Sequence, residues 1–258
     1  MNIPALNVLF YLLLFAVPFF IFHKLEIKVG RKLFIAVTRM ATQLVLMGLY
    51  LGYIFKLNNL AVNLLWVLMM VVVANFSILS QSGLSVKKLG LPIFLAIATS
   101  LTVVGSSFLF IIDWHHFIHA QYMIPIIGML LGNMLRYNII VLSSFYKTLR
   151  ERENDYLQFI SLGASRNEAT KPFMAAAIKN GIMPQIGGIA TMGLVTLPGM
   201  MTGQILGGAD PMVAIKYQIV ILTAIFTAGT VSATLSIITT RSIAFDQLHR
   251  LNQNIYKD

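Results

Sequence analysis

The stretch of residues 181–218, GIMPQIGGIATMGLVTLPGMMTGQILGGADPMVAIKYQ, decides how the rest of the chain is arranged. It is apolar enough to lie in a bilayer, yet it contains eight glycines and, near its middle, the pair Pro198-Gly199. Proline removes a backbone hydrogen-bond donor, and lipid cannot satisfy the polar groups that a broken helix frees. We therefore expect an interrupted membrane helix whose break faces protein or a water-filled cavity.

The composition excludes several classes of protein. With 258 residues, 57% of them hydrophobic and 11% charged, and a mean hydropathy of +0.79, the chain is predicted to be an integral membrane protein. The net charge of +10 reflects basic residues that lie between apolar runs, which indicates membrane orientation rather than nucleic-acid binding. The absence of cysteine rules out disulfides, thiolate metal sites and thiol catalysis.

Apolar runs close to the ~20 residues that a helix needs to cross a bilayer recur along the chain. They predict an all-α integral membrane protein, a polytopic bundle of about seven transmembrane helices in the cell membrane. The predicted spans are 3–22, 33–55, 60–79, 91–112, 122–145, 178–206 and 212–240. The sixth is over-long and contains the break, and the first lacks the features of a removed signal peptide.

Basic residues alternate between the two sides of these spans. The connections 23–32, 80–90 and 146–180 and the C-terminal tail hold fifteen Lys and Arg residues, whereas the opposite connections hold Lys56 only. By the positive-inside rule, the N-terminus lies outside and the C-terminus is cytoplasmic. The whole chain, 1–258, is predicted to be one transmembrane domain with a polar cytoplasmic segment at about 147–180.

The cytoplasmic segment carries a short apolar and aromatic stripe. Tyr156, Phe159, Ile160 and Gly163 recur at helical spacing, and the glycine is suited to end the helix. One interpretation is a helix that docks a cytoplasmic partner, and the other is an amphipathic helix that lies on the membrane surface. The periodicity does not decide between these interpretations.

A capping box follows the stripe. Ser165 and Glu168 are three residues apart, so each side chain can satisfy the other residue's backbone amide at the start of a second helix. We therefore interpret the segment as two short helices rather than as a disordered linker.

Several blocks of the sequence resemble a known family. LGAS at 162–165, followed by Pro184, resembles the loop with which ABC transporter permeases contact their ATPase. Three further blocks resemble the signature of the FetB family more specifically: TMGLVTLPGMMTG at 191–203, GADP at 208–211 and AIKYQI at 214–219. Arg39 with Gln43-Leu44, and PIIG at 125–128 with Gly132-Asn133, agree with that family too, so the resemblance covers the whole chain.

The resemblance implies a membrane-spanning permease subunit of an ABC transporter that exports iron or another metal. It also implies a homodimer and a separate ATPase subunit that binds ATP and Mg, with no cofactor in this chain. We assign ATPase coupling to Tyr156, Phe159, Ile160, Gly163, Ala164 and Ser165. The Glu-Ala-Ala opening of importer-type coupling loops is absent, and Leu157-Gln158-Phe159 takes its place, so importer contacts cannot be transferred residue by residue.

Polar residues within spans are costly in lipid and therefore favour function. Together with the break they define the predicted substrate pathway: Arg39, Gln43, Asn133, Pro198, Gly199, Met200, Met201, Gln204, Asp210, Lys216 and Gln218. Arg39 and Gln43 lie one helical turn apart and share a face, and Lys216 could reach Asp210 across the start of a helix. The alternatives for these side chains are ties between helices or snorkelling to the interface.

A bare metal cation suits this pathway poorly. Arg39 lies in a span, and no acidic residue lies in the middle of any span to neutralise it. A chelated or anionic substrate therefore suits the sequence better. The metal ligands stay unknown: His115, His116 and His119, or the methionines around the break, could bind a metal, and an interfacial loop and packing are the alternatives.

The sequence contains no catalytic constellation. It has neither a phosphate-binding Gly-x-x-x-x-Gly-Lys-Ser/Thr loop nor a His-Glu-x-x-His motif, so we expect a transport subunit without an ATP site. An ATPase-independent carrier or channel is the alternative, and an intramembrane enzyme ranks third. Gly199, Gly203 and Gly207 recur every four residues, which allows either close helix packing or a dimer seam.

Overall fold

The computed structural model describes residues 4–246 and 249–256, without the side chains of Ala5 and Leu9. The chain is all-helical, as predicted, and divides into two compact units, residues 1–57 and 58–258. The start of the first predicted span, at residue 3, and the tail residue Lys257 lie outside the described residues. The assignment of the whole chain to one domain stays a prediction.

The first unit consists of helices with mostly exposed side chains. Helix α1 covers Ala5–Leu12, a short 3-10 segment follows at Leu13–Phe15, and α2 covers Ala16–Lys24. Helix α3 runs through Gly30–Leu57. Within this unit Gly30 lies beside the ring of Phe19, where an added Cβ would stand 3.7 Å from Cδ1.

The second unit contains the longest helices and the core. They are α4 at Leu60–Ser82, α5 at Val86–Ser106, the short α6 at Trp114–Phe117, α7 at Ala120–Glu151, α8 at Glu153–Ser161, α9 at Arg166–Ala190, α10 at Gly199–Leu206 and α11 at Pro211–Ala244. Helix α11 packs mainly against α5 and α7, α4 packs against α7 and α5, and α9 packs against α7. Helix α7 is therefore the centre of the unit.

Two glycines permit the closest contacts of the core. A Cβ added at Gly229 of α11 would lie 2.6 Å from the ring of Tyr137 on α7. A Cβ added at Gly181 of α9 would overlap Cγ2 of Val141 on α7. Both helices thus approach α7 at positions where only hydrogen fits, as expected of helix pairs that pack within a membrane.

Side-chain hydrogen bonds tie the packed helices together. Asn138 Nδ2 donates to Ser232 Oγ at 2.8 Å, and Tyr146 Oη donates to Thr240 Oγ1 at 2.7 Å, both between α7 and α11. Ser100 Oγ of α5 donates to the carbonyl oxygen of Ala228 at 2.9 Å. Because these groups are buried in an apolar bundle, each bond removes the penalty of an unpaired polar atom and fixes the register of two helices.

Six helices in the described part of the chain are long and apolar enough to cross a membrane: Leu6–Lys24, Gly30–Leu57, Leu60–Ser82, Val86–Phe110, Ala120–Glu151 and Pro211–Ala244. They correspond to six of the seven predicted spans. The remaining one, 178–206, is not a continuous helix, because α9 ends at Ala190 and α10 begins at Gly199. The count of seven and the orientation of the termini stay predictions.

Helix α9 is longer than the sequence suggested. The second short helix expected after Ser165 extends to Ala190 and runs through Pro172 and Pro184. Its buried residues Ala169, Phe173, Ala177 and Gly181 recur every four positions and form one stripe. Packing of this stripe, most closely at Gly181 against α7, outweighs the two backbone hydrogen bonds that the prolines remove.

The chain beyond α11 folds back over α7 and α8. Leu251 N donates to Glu153 Oε1 at 3.3 Å, and Tyr256 Oη donates to the carbonyl oxygen of Tyr146 at 3.1 Å. The guanidinium of Arg150 lies 5.0 Å from the centre of the Tyr256 ring. Burial raises the pKa of Tyr256 to about 12, although Arg150 nearby opposes the shift. Residues 249–256 therefore pack against the ends of α7 and α8.

Candidate substrate groove and docking turn

The break predicted within residues 178–206 is confirmed. Between α9 and α10 the backbone leaves the helix for the turn 191–198, in which Gly193 adopts a positive φ of 87°. Gly193 N donates to the carbonyl oxygen of Thr196 at 2.9 Å, which closes the turn. Pro198 then directly precedes the first residue of α10, Gly199, and has an extended conformation. Proline and glycine thus restart the helix in the conformations that they adopt most easily.

The turn and helix α11 enclose a groove of about 750 Å³. Its lining comes from the end of α9, the turn, α10 and one face of α11: Ile189, Met192, Gly193, Leu197, Pro198, Met201, Ile215, Gln218, Ile219, Leu222, Thr223, Phe226 and Thr227. The residues from α11 recur at three- and four-residue spacing, so that one face of the helix forms a continuous wall. Every lining residue is uncharged.

Gln218 is the polar centre of the groove. Its side chain is only 7% exposed, and its Oε1 atom has no hydrogen-bond partner within the described part of the chain. The hydroxyls of Thr223 and Thr227 donate to carbonyl oxygens of their own helix, at 2.9 Å to Ile219 and 2.8 Å to Thr223. Because Oε1 has almost no accessible surface, it is buried within the protein and is not open to the groove.

Other residues of the predicted pathway line a second, smaller cavity. Met200 and Gln204 of α10 face a space of about 310 Å³ that is also bounded by Tyr122 of α7 and Tyr217 of α11. The predicted pathway residues Pro198, Met201 and Gln218 line the larger groove instead. Neighbouring residues on α10 and α11 therefore line different cavities, and the structure does not gather the whole predicted set into one site.

Asp210 and Lys216 are not paired in the structure. Asp210 Oδ1 accepts hydrogen bonds from Met212 N at 2.8 Å and Val213 N at 3.2 Å, so it caps the start of α11. Lys216 is exposed, and no ion pair joins it to Asp210 among the described residues. The expectation that Lys216 reaches Asp210 is wrong, because the carboxylate satisfies free amides at the helix end instead.

The remaining polar residues of the predicted pathway are Arg39, Gln43 and Asn133. Arg39 and Gln43 are exposed on α3, in the first unit, where their helical spacing places them on one face. Asn133 is half-buried on α7, and its Nδ2 donates to the carbonyl oxygen of Met129 at 2.8 Å. The amide of Asn133 is thus used within its own helix. The role of these three residues in transport stays a prediction.

The turn between α8 and α9 is held from both sides. Gly163 has a φ of 91°, its N–H donates to the carbonyl oxygen of Ile160 at 2.9 Å, and Ala164 N donates to that of Phe159 at 3.0 Å. These two bonds are the pattern that closes a helix on a left-handed glycine. The prediction that the stripe ends at Gly163 is therefore confirmed.

The predicted capping box on the other side of this turn is confirmed. Ser165 N donates to Glu168 Oε2 at 2.8 Å, and Glu168 N donates to Ser165 Oγ at 3.3 Å. Ser165 Oγ also donates to Glu168 Oε2 at 2.6 Å, and this bond, together with the one from Ser165 N, lowers the pKa of the Glu168 carboxyl below its ordinary value. The turn 162–165 is consequently a defined structure, which we name the docking turn.

The docking turn and the helix before it present large apolar side chains outward. Leu162 is 79% exposed and Phe159 is 43% exposed. Ile160 is half-buried and packs against the core. Tyr156, which the sequence assigned to ATPase coupling together with Phe159 and Ile160, offers no surface: it is fully buried, with its ring 5.0 Å from that of Phe245 at the end of α11. Burial also raises its pKa. Tyr156 therefore holds α8 to the chain rather than offering a surface.

The three histidines near the predicted outer end do not form a metal centre. His116 Nδ1 lies 3.7 Å from Asp113 Oδ2, while His119 makes a hydrogen bond with Asn58. No three His, Cys, Asp or Glu residues in the described ranges stand close enough together to hold a metal ion. The fold uses His119 and Asn58 to tie α6 and α7 to the start of α4.

Sequence reasoning missed two features of these sites. Leu162 is the most exposed apolar side chain of the turn. It belongs to the LGAS block, but it falls outside the spacing of the stripe, which therefore did not mark it. Thr223, Phe226 and Thr227 are absent from the predicted pathway. Thr223 is three residues from Phe226 and four from Thr227, which places these three on one side of α11, five to nine residues after Gln218. No polar motif in the sequence singled them out.

These features define a multi-pass helical protein of the cell membrane with an interrupted helix beside a groove. The chain belongs to the Uncharacterised protein family (UPF0014), whose model matches residues 5–245. This confirms the family resemblance seen in the sequence, because the relatives with which the chain aligns include a FetB protein. No solved structure matches the chain.

Relatives from bacteria and a plant align over most of their length. The chain is 32% identical over 241 residues to the UPF0014 membrane protein YjkA of Bacillus subtilis. That alignment covers 92% of this chain and 94% of YjkA. The chain is 28% identical over 254 residues to the "Probable iron export permease protein FetB" of Escherichia coli, covering 97% and 95%. It is 30% identical over 226 residues to the protein ALUMINUM SENSITIVE 3 of Arabidopsis thaliana, covering 86% and 80%.

Proposed function

We propose that the chain is the membrane-spanning permease subunit of an ABC transporter that exports iron or another metal, as an ion or in a chelate. A separate ATPase subunit binds ATP and Mg and supplies the energy. Two copies of the chain assemble with the ATPase. The metal is suggested by the name of the FetB relative, and the ATPase partner by the docking turn.

The observation that carries this proposal is the geometry of the docking turn. It is fixed by hydrogen bonds on both sides, yet Leu162 and the neighbouring Phe159 are exposed. A flexible loop would lose conformational entropy on binding, whereas a preformed turn loses little. An aromatic and an aliphatic side chain on a short helix are suited to fill a hydrophobic groove on another protein.

Contacts behind the turn connect it to the helix that lines the groove. Tyr156 of α8 packs on Phe245, which directly follows α11. Arg166, the first residue of α9, donates from Nη2 to the carbonyl oxygen of Asp246 at 3.3 Å, and its guanidinium lies 5.5 Å from the Phe245 ring. A displacement of the docking turn is therefore passed to the end of α11. The other half of the same helix carries Gln218 and the wall of the groove.

The experiment removes the exposed anchors and leaves Tyr156 in place. Phe159→Ala combined with Leu162→Ala should weaken binding of a candidate partner ATPase of the ATP-binding-cassette class, since truncating a buried interface anchor commonly costs ~2 kcal/mol, about thirtyfold in affinity. The permease should still insert and melt as the wild type does. Binding is measured with purified proteins in nanodiscs, together with ATP hydrolysis.

A matched control tests whether a loss of binding comes from the docking turn itself rather than from the removal of any exposed apolar side chains. Phe110→Ala combined with Leu206→Ala removes an even more exposed aromatic and aliphatic pair, at 93% and 82%, from the ends predicted to face outside. This control should bind the ATPase at full strength. If the docking-turn variant also binds it at full strength, or if the wild-type chain alone transports metal without ATP, the proposal is wrong.

A further inference from the structure

We propose that one face of helix α7 lines a water-filled path through the membrane and that Arg136, at the middle of this face, binds the negative charge of a transported solute. The path is distinct from the groove beside the break. This inference names the class of cargo and rests on the proposed transport function. On this path a metal travels within an anionic complex rather than as a bare cation.

The exposed residues of α7 form one continuous face, which we name the open face. Helix α7 has nine exposed residues, and spacings of three, four and seven connect them, so they share one side of the helix. They are Gln121, Tyr122, Pro125, Gly132, Arg136, Ile140, Lys147, Arg150 and Glu151. The buried residues of α7 occupy its other sides, so the open face extends along nearly the whole helix.

The open face differs in chemistry from the exposed side of α4, which packs against α7. Between residues 64 and 76, every exposed residue of α4 is apolar: Leu64, Leu65, Leu68, Met69, Val72, Val73 and Phe76. Between residues 123 and 151, the open face has a single exposed large apolar side chain, Ile140. Lipid suits the exposed side of α4, whereas a face with a central arginine and almost no apolar surface suits water.

Arg136 places a positive charge deep within the membrane. It stands 16 residues after the start of α7 and 15 before its end. Even the nearer end of the predicted span, residue 145, is about 14 Å away at 1.5 Å per residue, which is farther than an arginine side chain extends. Its guanidinium forms no ion pair or hydrogen bond among the described residues. Because an uncompensated charge at this depth is costly in lipid, the site needs water or an anion.

The anion comes from outside the chain. All nine Asp and Glu residues lie outside the seven predicted spans, so neither this chain nor a second copy brings a carboxylate to the depth of Arg136. A guanidinium donates paired N–H groups to carboxylate and phosphate oxygens. A dissolved solute that carries such a group is therefore the ligand that suits this site.

The open face also leads to a cavity. Gln121 and Tyr122, at the start of α7, line the space of about 310 Å³ to which Gln204 of α10 and Tyr217 of α11 contribute polar groups. This end of α7 is predicted to lie outside. The path thus runs from Arg136 to a partly polar cavity beside α10, the helix that begins at the break.

The test measures the charge preference of a cysteine on the open face. Because the chain contains no cysteine, Ile140→Cys, one turn from Arg136, supplies the only thiol. The purified chain in lipid nanodiscs is treated with two water-soluble methanethiosulfonates, the anionic sulfonatoethyl reagent and the cationic trimethylammonium-ethyl reagent. Val72→Cys, on the exposed side of α4, is the matched control.

We expect both reagents to react at Ile140→Cys and neither to react at Val72→Cys. Adding Arg136→Gln should lower the ratio of the anionic to the cationic rate about tenfold, as expected when a unit charge ~6 Å away in water is removed. The intrinsic reactivities of the reagents cancel in this comparison. Arg136→Lys keeps the charge, so it should keep the preference.

A second measurement identifies the charge of the ligand. Citrate, free or as its gallium(III) complex, should slow the reaction of Ile140→Cys with the neutral reagent N-ethylmaleimide. This protection should be lost when Arg136→Gln is added and kept with Arg136→Lys. Mn²⁺ at matched ionic strength should give no protection.

Three results would overturn the inference. Similar reactivity at Ile140→Cys and Val72→Cys would show that the two faces share one environment, as they would if lipid phosphate rather than a solute reached Arg136. An unchanged rate ratio in the Arg136→Gln background would remove the role of the charge. Protection by Mn²⁺ but not by citrate would make the path a route for bare cations. The assay contains no ATPase, so it can fail while the docking-turn experiment succeeds, and the reverse also holds.

Discussion

Glycine serves different purposes in the packed core and in the interrupted helix. In the core, Gly229 and Gly181 stand where α7 is so close that an added Cβ would lie 2.6 Å from the Tyr137 ring or overlap Val141. At Gly188, Gly199 and Gly203, around the break, nothing lies within 4 Å of an added Cβ. Gly229 and Gly181 are therefore required by packing, whereas Gly188, Gly199 and Gly203 are not.

The two regions also differ in how their polar groups are used. In the core, the side chains of Asn138, Ser100 and Tyr146 donate hydrogen bonds to a neighbouring helix. Beside the break, Gln218 is also buried, but its side chain makes no bond to another helix among the described residues; its Oε1, like Asn138 Oδ1, has no partner there. A region closed by interhelical bonds resists change, whereas a region with glycine in open space and no such bond at Gln218 can rearrange. The core is thus the frame, and the break is the part suited to move.

The largest effect should come from repairing the break. Pro198→Ala with Gly199→Ala removes the residues that keep 191–198 out of a helix, so the helix should extend and transport should fall to background. The protein should remain folded, because nothing packs closely on Gly199. Metal transport into everted vesicles and circular dichroism would check this. Full transport by the double variant would mean that the break is only a packing device.

Filling the core contact should cost the most stability. Gly229→Ala places a Cβ against the ring of Tyr137 and should destabilise the protein by about 3 kcal/mol, the upper end for overpacking. Gly203→Ala, in open space on a helix, should change the free energy of unfolding by no more than about 0.5 kcal/mol. Unfolding in mixed micelles measures both. Equal losses at the two positions would end the distinction between the two kinds of glycine.

A smaller loss should follow from cutting one interhelical bond. Asn138→Leu removes the donor to Ser232 and should cost about 1 kcal/mol, as expected for such bonds within a membrane. Asn133→Leu is the matched control, since that amide donates to Met129 of its own helix. The same unfolding assay applies. A larger loss at Asn133 would assign it a partner outside this chain.

The smallest effect should be a dependence on pH at the docking turn. The pKa of Glu168 is lowered by its hydrogen bonds from Ser165, so the ionised carboxylate stabilises the fold above its ordinary range and this contribution is lost as the pH falls through the lowered value. The difference in melting temperature between wild type and Glu168→Ala should therefore shrink in acid. A difference that stays constant from neutral to acidic pH would show that ionisation plays no part.

The sequence was sufficient for features that depend on local chemistry. The helical class, the break at Pro198, the turn at Gly163 and the capping box at Ser165 follow from residue types at fixed spacings. Their structures depend on neighbours within one or two turns, which a sequence displays directly.

Features that depend on distant contacts could not be predicted in this way. Tyr156 has the spacing of an exposed stripe, yet Phe245, far along the chain, covers it. Helix α9 continues through Pro172 because its stripe of small and apolar residues packs on α7. Met200 and Met201 are adjacent in sequence and line different cavities. In each case the partner is a residue that periodicity does not reveal.

The most direct test compares amide hydrogen exchange in the core and in the break while the ATPase is switched by nucleotide. The chain is reconstituted with its ATPase in nanodiscs, with and without a non-hydrolysable ATP analogue. We predict that exchange across 191–209 changes by about tenfold or more while exchange across 130–146 stays the same, because local opening is confined to the less tightly packed region. If the nucleotide leaves 191–209 unchanged, or alters both segments alike, the break is not the part of the molecule on which ATP acts.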